Sequence, residues 1–311
     1  MNQHEIDEMY MHRCLQLAKQ GRALVKPNPM VGAVIVYDNC IIGEGYHVQC
    51  GKAHAEVNAF ASVKAEDERL LTDSTLYVSL EPCCHYGKTP PCADLIIKKQ
   101  VKRVVCGCVD VFAKVHGKGI EKLRNAGIEV TVGVLEKKCI DLNRKFNTFN
   151  THHRPYILLK WAQSANGFID NNYHSIALST PFTRMLVHKL RSEYDAILVG
   201  RVTDECEHPQ LTVREWSGKN PLRLVLHHGM DVHQLLDDLY NKNIQSIMVE
   251  GGAKTLQSFM DANLWDELRI ETSPVYIPTG TTAPILPHYI DRIAHKQYGE
   301  NTIDEFINYN S

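Results

Sequence analysis

The chain has almost no net charge. Its 34 Lys and Arg residues are set against 36 Asp and Glu, leaving −2 with His neutral. That balance removes any bulk electrostatic case for binding nucleic acid or an anionic membrane surface. No apolar run is long enough to cross a bilayer as a helix. The first residues, MNQHEIDEMYMHRCLQLA, lack a basic region followed by an apolar stretch, so no secretory signal is expected. Internal repeats and low-complexity segments are also absent, which argues against a solenoid or a fibrous chain. What remains is ordinary globular composition, 44% hydrophobic and 23% charged, on 311 residues. That length suits one or two domains with a sizeable core, and a cytoplasmic location is expected.

Cysteine is the exception to this ordinary composition. Ten cysteines are many for such a chain, but they do not form the frame of a small secreted disulfide scaffold. Some are therefore expected as metal ligands. Cys14, Cys40, Cys50, Cys106, Cys108, Cys139 and Cys206 are expected to be packed thiols.

Strand and helix signals alternate along the sequence, which predicts α/β architecture with helices packed on the faces of a sheet. Ile6 to Gln20 reads as a helix. MVGAVIVYDNCIIGEGY reads as two strands around an Asp38-Asn39 turn. Helices are predicted over Ala55–Lys64, Cys92–Lys99 and Lys118–Ala126, with Thr89 as a candidate cap for the second. STLYVSLEP, VKRVVCGCVD and IEVTVGV read as strands, the first stopping at Pro82. The polar stretch Asn147 to Arg154, then Pro155, reads as a domain boundary, giving domains 1–146 and 155–311. The alternation then restarts. YILLKWAQS, YDAILVG, PLRLVLH and IQSIMVE read as strands, with helices over Thr180–Arg191, Val232–Lys242 and Lys254–Met260.

The first candidate site joins HAE at 54–56 to EPCCHYGKTPPC at 81–92. A catalytic zinc takes three N/S ligands and keeps one position open, and His54, Cys83 and Cys92 supply that set. Cys84 competes with Cys83, which is preferred because it follows Pro82 directly. Glu56 would move protons without being a ligand. H-x-E followed by P-C and a further Cys is the pattern of zinc deaminases. The insert between the cysteines, with His85, Lys88 and Thr89, reads as a substrate-contacting loop.

On these residues the first half resembles the deaminase domain of the RibD family of bifunctional riboflavin-biosynthesis enzymes. The matching stretches are Pro27-Asn28-Pro29 with Val31-Gly32, GEGYH ending at His47, HAEV, EPC, GKTPPC and DVFAKVHGKGIEKLRNAGI. The resemblance implies a cytidine-deaminase-like fold and substrate contacts by Asn28, His47, His85, Lys88, Thr89 and Asp110. Family members often carry Asp-Pro-Asn where this chain has Asp110-Val111-Phe112.

The second half resembles the same family's reductase domain, of dihydrofolate-reductase-like fold. The likeness rests on YILLKWAQSANG, VHKLRSEYDAILVG, HPQLTVR, NPLRLVL and IMVEGGAKTLQSF. VEGG before a helix allows a backbone to approach a phosphate at the helix N-terminus, although Gly251-Gly252 alone is more often only a tight strand-to-helix turn. The resemblance implies NADPH near Ala162, Thr203, Glu207, Gly252, Ala253, Lys254, Thr255, Leu256, Gln257 and Ser258. It implies substrate at Ser175, Arg191, Leu211, Arg214 and Glu250, where the two arginines suit a ribose phosphate. The chain departs from the family at Ala177, commonly Trp, and at Glu207, commonly Asp. Between LRLVLHH and VHQLLDDL the family carries a strand-rich segment, and here only Gly229-Met230-Asp231 remains. The reductase domain is therefore expected to be shortened near 228–232.

The resemblance thus implies an enzyme of riboflavin biosynthesis. It would deaminate 2,5-diamino-6-ribosylamino-4(3H)-pyrimidinone 5′-phosphate with one Zn2+ per chain and then reduce the ribosyl chain with NADPH. The expected partner is that small pyrimidine ribose phosphate, with neither nucleic acid nor membrane, and the chain is expected to form a homo-oligomer. The alternative is a deaminase alone, its degenerate second domain serving structure or oligomerisation. A zinc deaminase of another base is a further rival, against which the long CHYGKTPPC loop and the lack of a basic stripe argue.

Overall fold

A computed structural model describes residues 1–86, 90–112, 115–172, 174–288 and 290–309. The chain folds as two compact units, Met1–His152 and His153–Ser311.

The first unit opens with α1 (Gln3–Ala18). Asn2 and Glu5 close a capping box on its N-terminus, and one 3-10 turn, Lys19–Gly21, ends it. The hairpin β1 (Gly32–Tyr37) and β2 (Cys40–Tyr46) turns at Asp38 and Asn39. Both turn residues have positive φ, 45° and 60°, as a type I′ turn requires. Then follow α2 (Ala55–Ala61), β3 (Thr75–Val78), α3 (Cys92–Lys99), β4 (Arg103–Cys106), α4 (Lys118–Asn125) and β5 (Glu129–Val132). Two helices, α5 (Glu136–Leu142) and α6 (Arg144–His152), complete the unit. The sheet order is β2-β1-β3-β4-β5, with β1 antiparallel to both neighbours and β3, β4 and β5 parallel.

Both faces of this sheet are covered, and strand periodicity assigns the residues. Ile35, Leu76, Val78 and Val104 face α2, α3 and α4. Val34, Val36, Tyr77 and Val105 face α1 and α5. Two sequence expectations need correction. β3 stops at Val78, so Cys83 lies in the loop beyond it rather than at a strand end. The polar stretch after Asn147 is helical to His152, because it continues a helix that starts at Arg144.

The second unit contains β6 (Tyr156–Gln163), α7 (Pro181–Glu193), β7 (Ala196–Gly200), α8 (Arg201–Glu207), β8 (Leu222–Leu226) and α9 (Val232–Asn241). It continues with β9 (Ser246–Glu250), α10 (Ala253–Asp261), β10 (Glu267–Thr272), β11 (Asp291–Tyr298) and β12 (Asn301–Ile307). The sheet order is β11-β12-β10-β6-β9-β7-β8. The run from β10 to β8 is parallel, and β12 and β11 are added antiparallel. The carboxyl ends of β6, β9 and β7 thus open beside one another, the usual place for a ligand crevice in a parallel sheet.

Candidate active sites

In the first unit, His54 is the residue just before α2 and Cys92 is the first residue of α3. The loop after β3 brings Cys83 between them. His54 Nδ1 lies 3.5 Å from Cys83 Sγ and 3.4 Å from Cys92 Sγ. The Cys92 backbone N–H donates to Cys83 Sγ at 3.3 Å. One donor atom from each residue falls within 4.8 Å of the others. A ring nitrogen and two sulfurs at this spacing fit tetrahedral zinc with one position open. Among the described residues Cys84 is not part of the group, and burial raises its thiol. The Cys92 hydrogen bond leads the causes that bring Cys83 down to about 4, against burial and with help from His54. Cys92 is raised correspondingly.

Glu56 stands in the first turn of α2, 3% exposed. Burial first, and then the Cys83 charge, pushes its carboxyl up to about 7. Its neighbour is the Cys92 thiol. Glu81, equally buried, has different surroundings. Its Oε1 accepts from Gly119 N at 2.8 Å and Ile120 N at 3.4 Å. Its Oε2 accepts from Gly117 N at 2.8 Å and Asp110 N at 3.2 Å. The Glu of E-P-C is thus the cap of α4 and the clasp of the 110–117 loop. Sequence reasoning missed that role, since no local pattern links residue 81 to residues 117–120. Gly119 is required there, because an added Cβ would lie 2.0 Å from the Pro82 carbonyl oxygen.

Asn28 and His47 are joined. His47 Nδ1 lies 3.0 Å from the Ala53 carbonyl, which fixes the ring proton there. Its Nε2 then accepts from Asn28 Nδ2 at 3.1 Å. Burial lowers the His47 pKa and keeps the ring neutral. The amide of Asn28 is thereby oriented with its oxygen turned away from His47. His85 packs against Phe112, ring centroids 6.1 Å apart, and among the described residues its buried Nδ1 has no hydrogen-bond partner. Asp110 is raised to about 6 by burial, against the Phe112 N–H that donates to its Oδ1 at 2.8 Å. Lys88 and Thr89 lie outside the described residues. Of the cysteines expected to be packed, Cys14, Cys106, Cys108 and Cys139 are buried and Cys50 is half-buried, whereas Cys40, at the start of β2, and Cys206, on α8, are exposed.

The second unit holds a cleft of about 1210 Å³. Ala162, Ser175, Thr203, Glu207, Leu211 and Arg214 line it, as do Gly252, Ala253, Lys254, Thr255 and Ser258. Leu256 and Gln257 do not. Leu256 is fully buried in the core. Gln257 donates to Asp261 at 2.8 Å and accepts from Ile285 N at 2.8 Å. The helical repeat of α10 turns these two away from a cleft that takes 254, 255 and 258. Glu250 and Arg191 meet at the cleft floor, but chiefly each other. Arg191 Nε and one terminal nitrogen lie 3.1 and 3.0 Å from Glu250. Lys160, a residue the sequence reading passed over, bonds the same carboxylate at 3.1 Å. Burial opposes ionisation of Glu250, yet the charges of Lys160 and Arg191 hold its pKa low.

The α10 end of the cleft has the features of a phosphate cradle. Gly251 and Gly252 adopt φ of 92° and 78°, and the cap residue Gly252 has no side chain to bond the helix N-terminus. A Cβ on Gly252 would sit 3.1 Å from Thr203 Oγ1. Bare N–H groups at a helix start, approached over glycine, suit the pyrophosphate of a dinucleotide.

Comparison with known proteins follows this division. Residues 4–108 match the cytidine and deoxycytidylate deaminase zinc-binding region. Residues 155–234 and 225–286 match the RibD C-terminal domain in two overlapping stretches. The riboflavin biosynthesis protein RibD of Aquifex aeolicus is 38% identical, over 89% of each chain. That of Escherichia coli is 34% identical, over 86% of this chain and 88% of its own. A crystal structure from Thermotoga maritima, a diaminohydroxyphosphoribosylaminopyrimidine deaminase/5-amino-6-(5-phosphoribosylamino)uracil reductase, superposes with a TM-score of 0.90. It is 34% identical and covers 98% of this chain and 99% of its own.

Proposed function

The chain belongs to the RibD family of bifunctional riboflavin-biosynthesis enzymes, with Zn2+ and NADPH as cofactors, and from that premise we propose how its own residues divide the two reactions. In the first unit, His54, Cys83 and Cys92 hold the zinc. When bound, zinc supplies the Lewis acidity that makes water a nucleophile near neutral pH. Glu56 takes the proton of that water and returns it to the amine nitrogen that leaves the pyrimidine ring. Asn28, its amide oriented by His47, reads the pyrimidine edge. His85 and Asp110 contact the same substrate, and Lys88 and Thr89 are assigned to it by the resemblance alone. The observation that carries this reading is the convergence of one imidazole and two thiols beside a buried carboxylate that is not in the ligand set.

In the second unit, NADPH when bound supplies the reducing equivalent. Gly252 and the first turn of α10 hold its pyrophosphate, while Ala162, Thr203 and Glu207 line the rest of its course. Ser175, Leu211 and Arg214 face the pyrimidine ribose phosphate. Arg191 and Lys160 fix Glu250 at the floor, where the opened ribose chain is reduced to ribityl. The overlap of the two matched stretches at 225–234 supports a shortened connection between β8 and α9, on the cofactor side.

No helix among the described residues is long and apolar enough to cross a membrane, and we take the enzyme to be cytoplasmic. A homo-oligomer is part of the proposal. The edge strand β11 with exposed Ile293, and Phe182 stacked at 5.4 Å on Tyr298, supply apolar surface for it. Purified protein incubated with diaminohydroxyphosphoribosylaminopyrimidine should give the deaminated product without NADPH and the deaminated, reduced product with it, identified by mass. Loss of deamination in the metal-replete protein would overturn the first assignment. Absence of the reduced product at saturating NADPH would leave the deaminase-only alternative.

A further inference from the structure

The cations around the reductase cleft are unequally free. Lys160 and Arg191 both bond the buried Glu250, and Arg201 pairs with Glu205. A ribose phosphate carries up to two negative charges and asks for guanidinium groups that are not already spent. Arg214 is one such group: among the described residues its terminal nitrogen bonds only neutral oxygens, Gln210 Oε1 at 2.9 Å and Thr212 Oγ1 at 3.0 Å.

The second lies on α7. Arg184, His188 and Arg191 stand at i, i+4 and i+7, one face of the helix, and all three line the cleft. The segment 212–215 runs along that face in register. Arg191 donates to the Thr212 carbonyl at 3.3 Å. His188 Nδ1 lies 2.9 Å from that carbonyl and 3.2 Å from Arg214 N. Arg184 Nε donates to Glu215 Oε1 at 2.9 Å. Arg184 therefore reaches the residue adjacent to Arg214, and its partner is exposed. The side chains are 55% and 36% accessible, and pairs of that kind hold weakly.

We propose that Arg184 is the second cation of the phosphate subsite, binding the 5′-phosphate of the pyrimidine ribose phosphate together with Arg214 and exchanging Glu215 for the ligand. Glu215 keeps the guanidinium extended toward the cleft while the subsite is empty, and the phosphate dianion then displaces it. The inference rests on the reading of this cleft as a ribose-phosphate site.

Calorimetric titration with 5-amino-6-(5-phosphoribosylamino)uracil and with its phosphatase-treated form tests both. The wild-type protein should prefer the phosphorylated ligand by about 100-fold. Arg184→Gln should cut that preference about tenfold, as expected for one charge-assisted hydrogen-bonded contact, and leave the dephosphorylated ligand and NADPH unaffected. Glu215→Gln should bind the phosphorylated ligand as well as the wild type or up to about threefold tighter. If the wild-type protein fails to distinguish the two ligands, the ribose-phosphate reading of the cleft falls. If it distinguishes them and Arg184→Gln does so equally, that reading stands and the role of Arg184 is overturned. Should Arg184→Gln lose NADPH binding as well, Arg184→Lys decides. It keeps the charge but loses the fork geometry, so a partial loss of preference supports the role and full retention refutes it.

Discussion

Glu56 and Glu81 are both buried carboxylates close to the proposed zinc ligands, and their partners separate their duties. Four backbone N–H groups surround Glu81, so its charge is spent on holding the 110–117 loop and α4. Glu56 has a thiol for a neighbour and a carboxyl poised near neutrality. Glu56→Gln should keep its zinc, by metal analysis, and lose at least ~10²-fold in ammonia release. Zinc loss in that variant would mean that Glu56 is a ligand. Glu81→Ala should instead lower the thermal midpoint, since the four donors lose a buried acceptor at a cost of about 1–3 kcal/mol. Among the thiols, Cys83→Ala should release the metal and Cys84→Ala should retain it. The reverse result would exchange their roles.

At the scale of elements, Asp7 ties α1 to the sheet. Arg103 of β4 clamps it at 2.9 and 2.7 Å, and Tyr77 of β3 donates at 2.9 Å. Burial works against the ionised carboxyl, but the bonds from Arg103, Gln3 and Tyr77 together outweigh it and hold Asp7 below its ordinary 3.8. A carboxylate with a depressed folded pKa stabilises the fold above its unfolded pKa, and that contribution is lost as pH falls through the folded value. Asp7→Asn should therefore lose about 1–3 kcal/mol at neutral pH, by denaturant unfolding, because Arg103 loses its two-pronged partner and keeps Glu129 at 3.2 Å. Its stability should then fall less than the wild type's below pH 3.8. Equal acid sensitivity of the two proteins would show that Asp7 is not a titrating clasp.

Elements of this kind were partly legible in the sequence. The strands of both sheet centres read directly, because Val34-Ile35-Val36 or Ile247-Met248-Val249 is buried on both faces and so uninterrupted by polar residues. The helix at Cys92 was readable from prolines before it and basic residues at its end. β11 was not, since DRIAHKQY is exposed along nearly its whole length and carries no alternation. α8 was missed because none of its residues is buried. Within the sites, the ligand triad followed from spacing, whereas the Lys160–Glu250–Arg191 triad joins three distant segments. Only the parallel pairing of β6 with β9, which sets Lys160 opposite Glu250, brings two of them together.

For the molecule as a whole, the contrast between its two units generates the last prediction. The first unit brings together the metal-ligand set and the buried carboxylate, and we propose that the second is shortened at one side of its cleft. β8 ends at Leu226 and α9 begins at Val232, and His227, His228, Gly229 and Met230 of that short turn line the cleft. On the proposed reading the cradle at Gly252 and the substrate wall are retained, and the shortening is expected to weaken binding of NADPH rather than of the pyrimidine. A few lost contacts at about 1 kcal/mol each raise a dissociation constant by one to two decades. NADPH titrated by its fluorescence should bind that much more weakly than to the Aquifex aeolicus relative. Affinity for 5-amino-6-(5-phosphoribosylamino)uracil should be similar in both proteins. Gly252→Ala, forcing a side chain into φ of 78° beside Thr203, should weaken NADPH about tenfold further through strain of about 1–2 kcal/mol. It should leave zinc content and deamination untouched, because those belong to the other unit. NADPH affinity equal to the relative's, with full turnover, would show that the turn His227–Met230 replaces the missing wall.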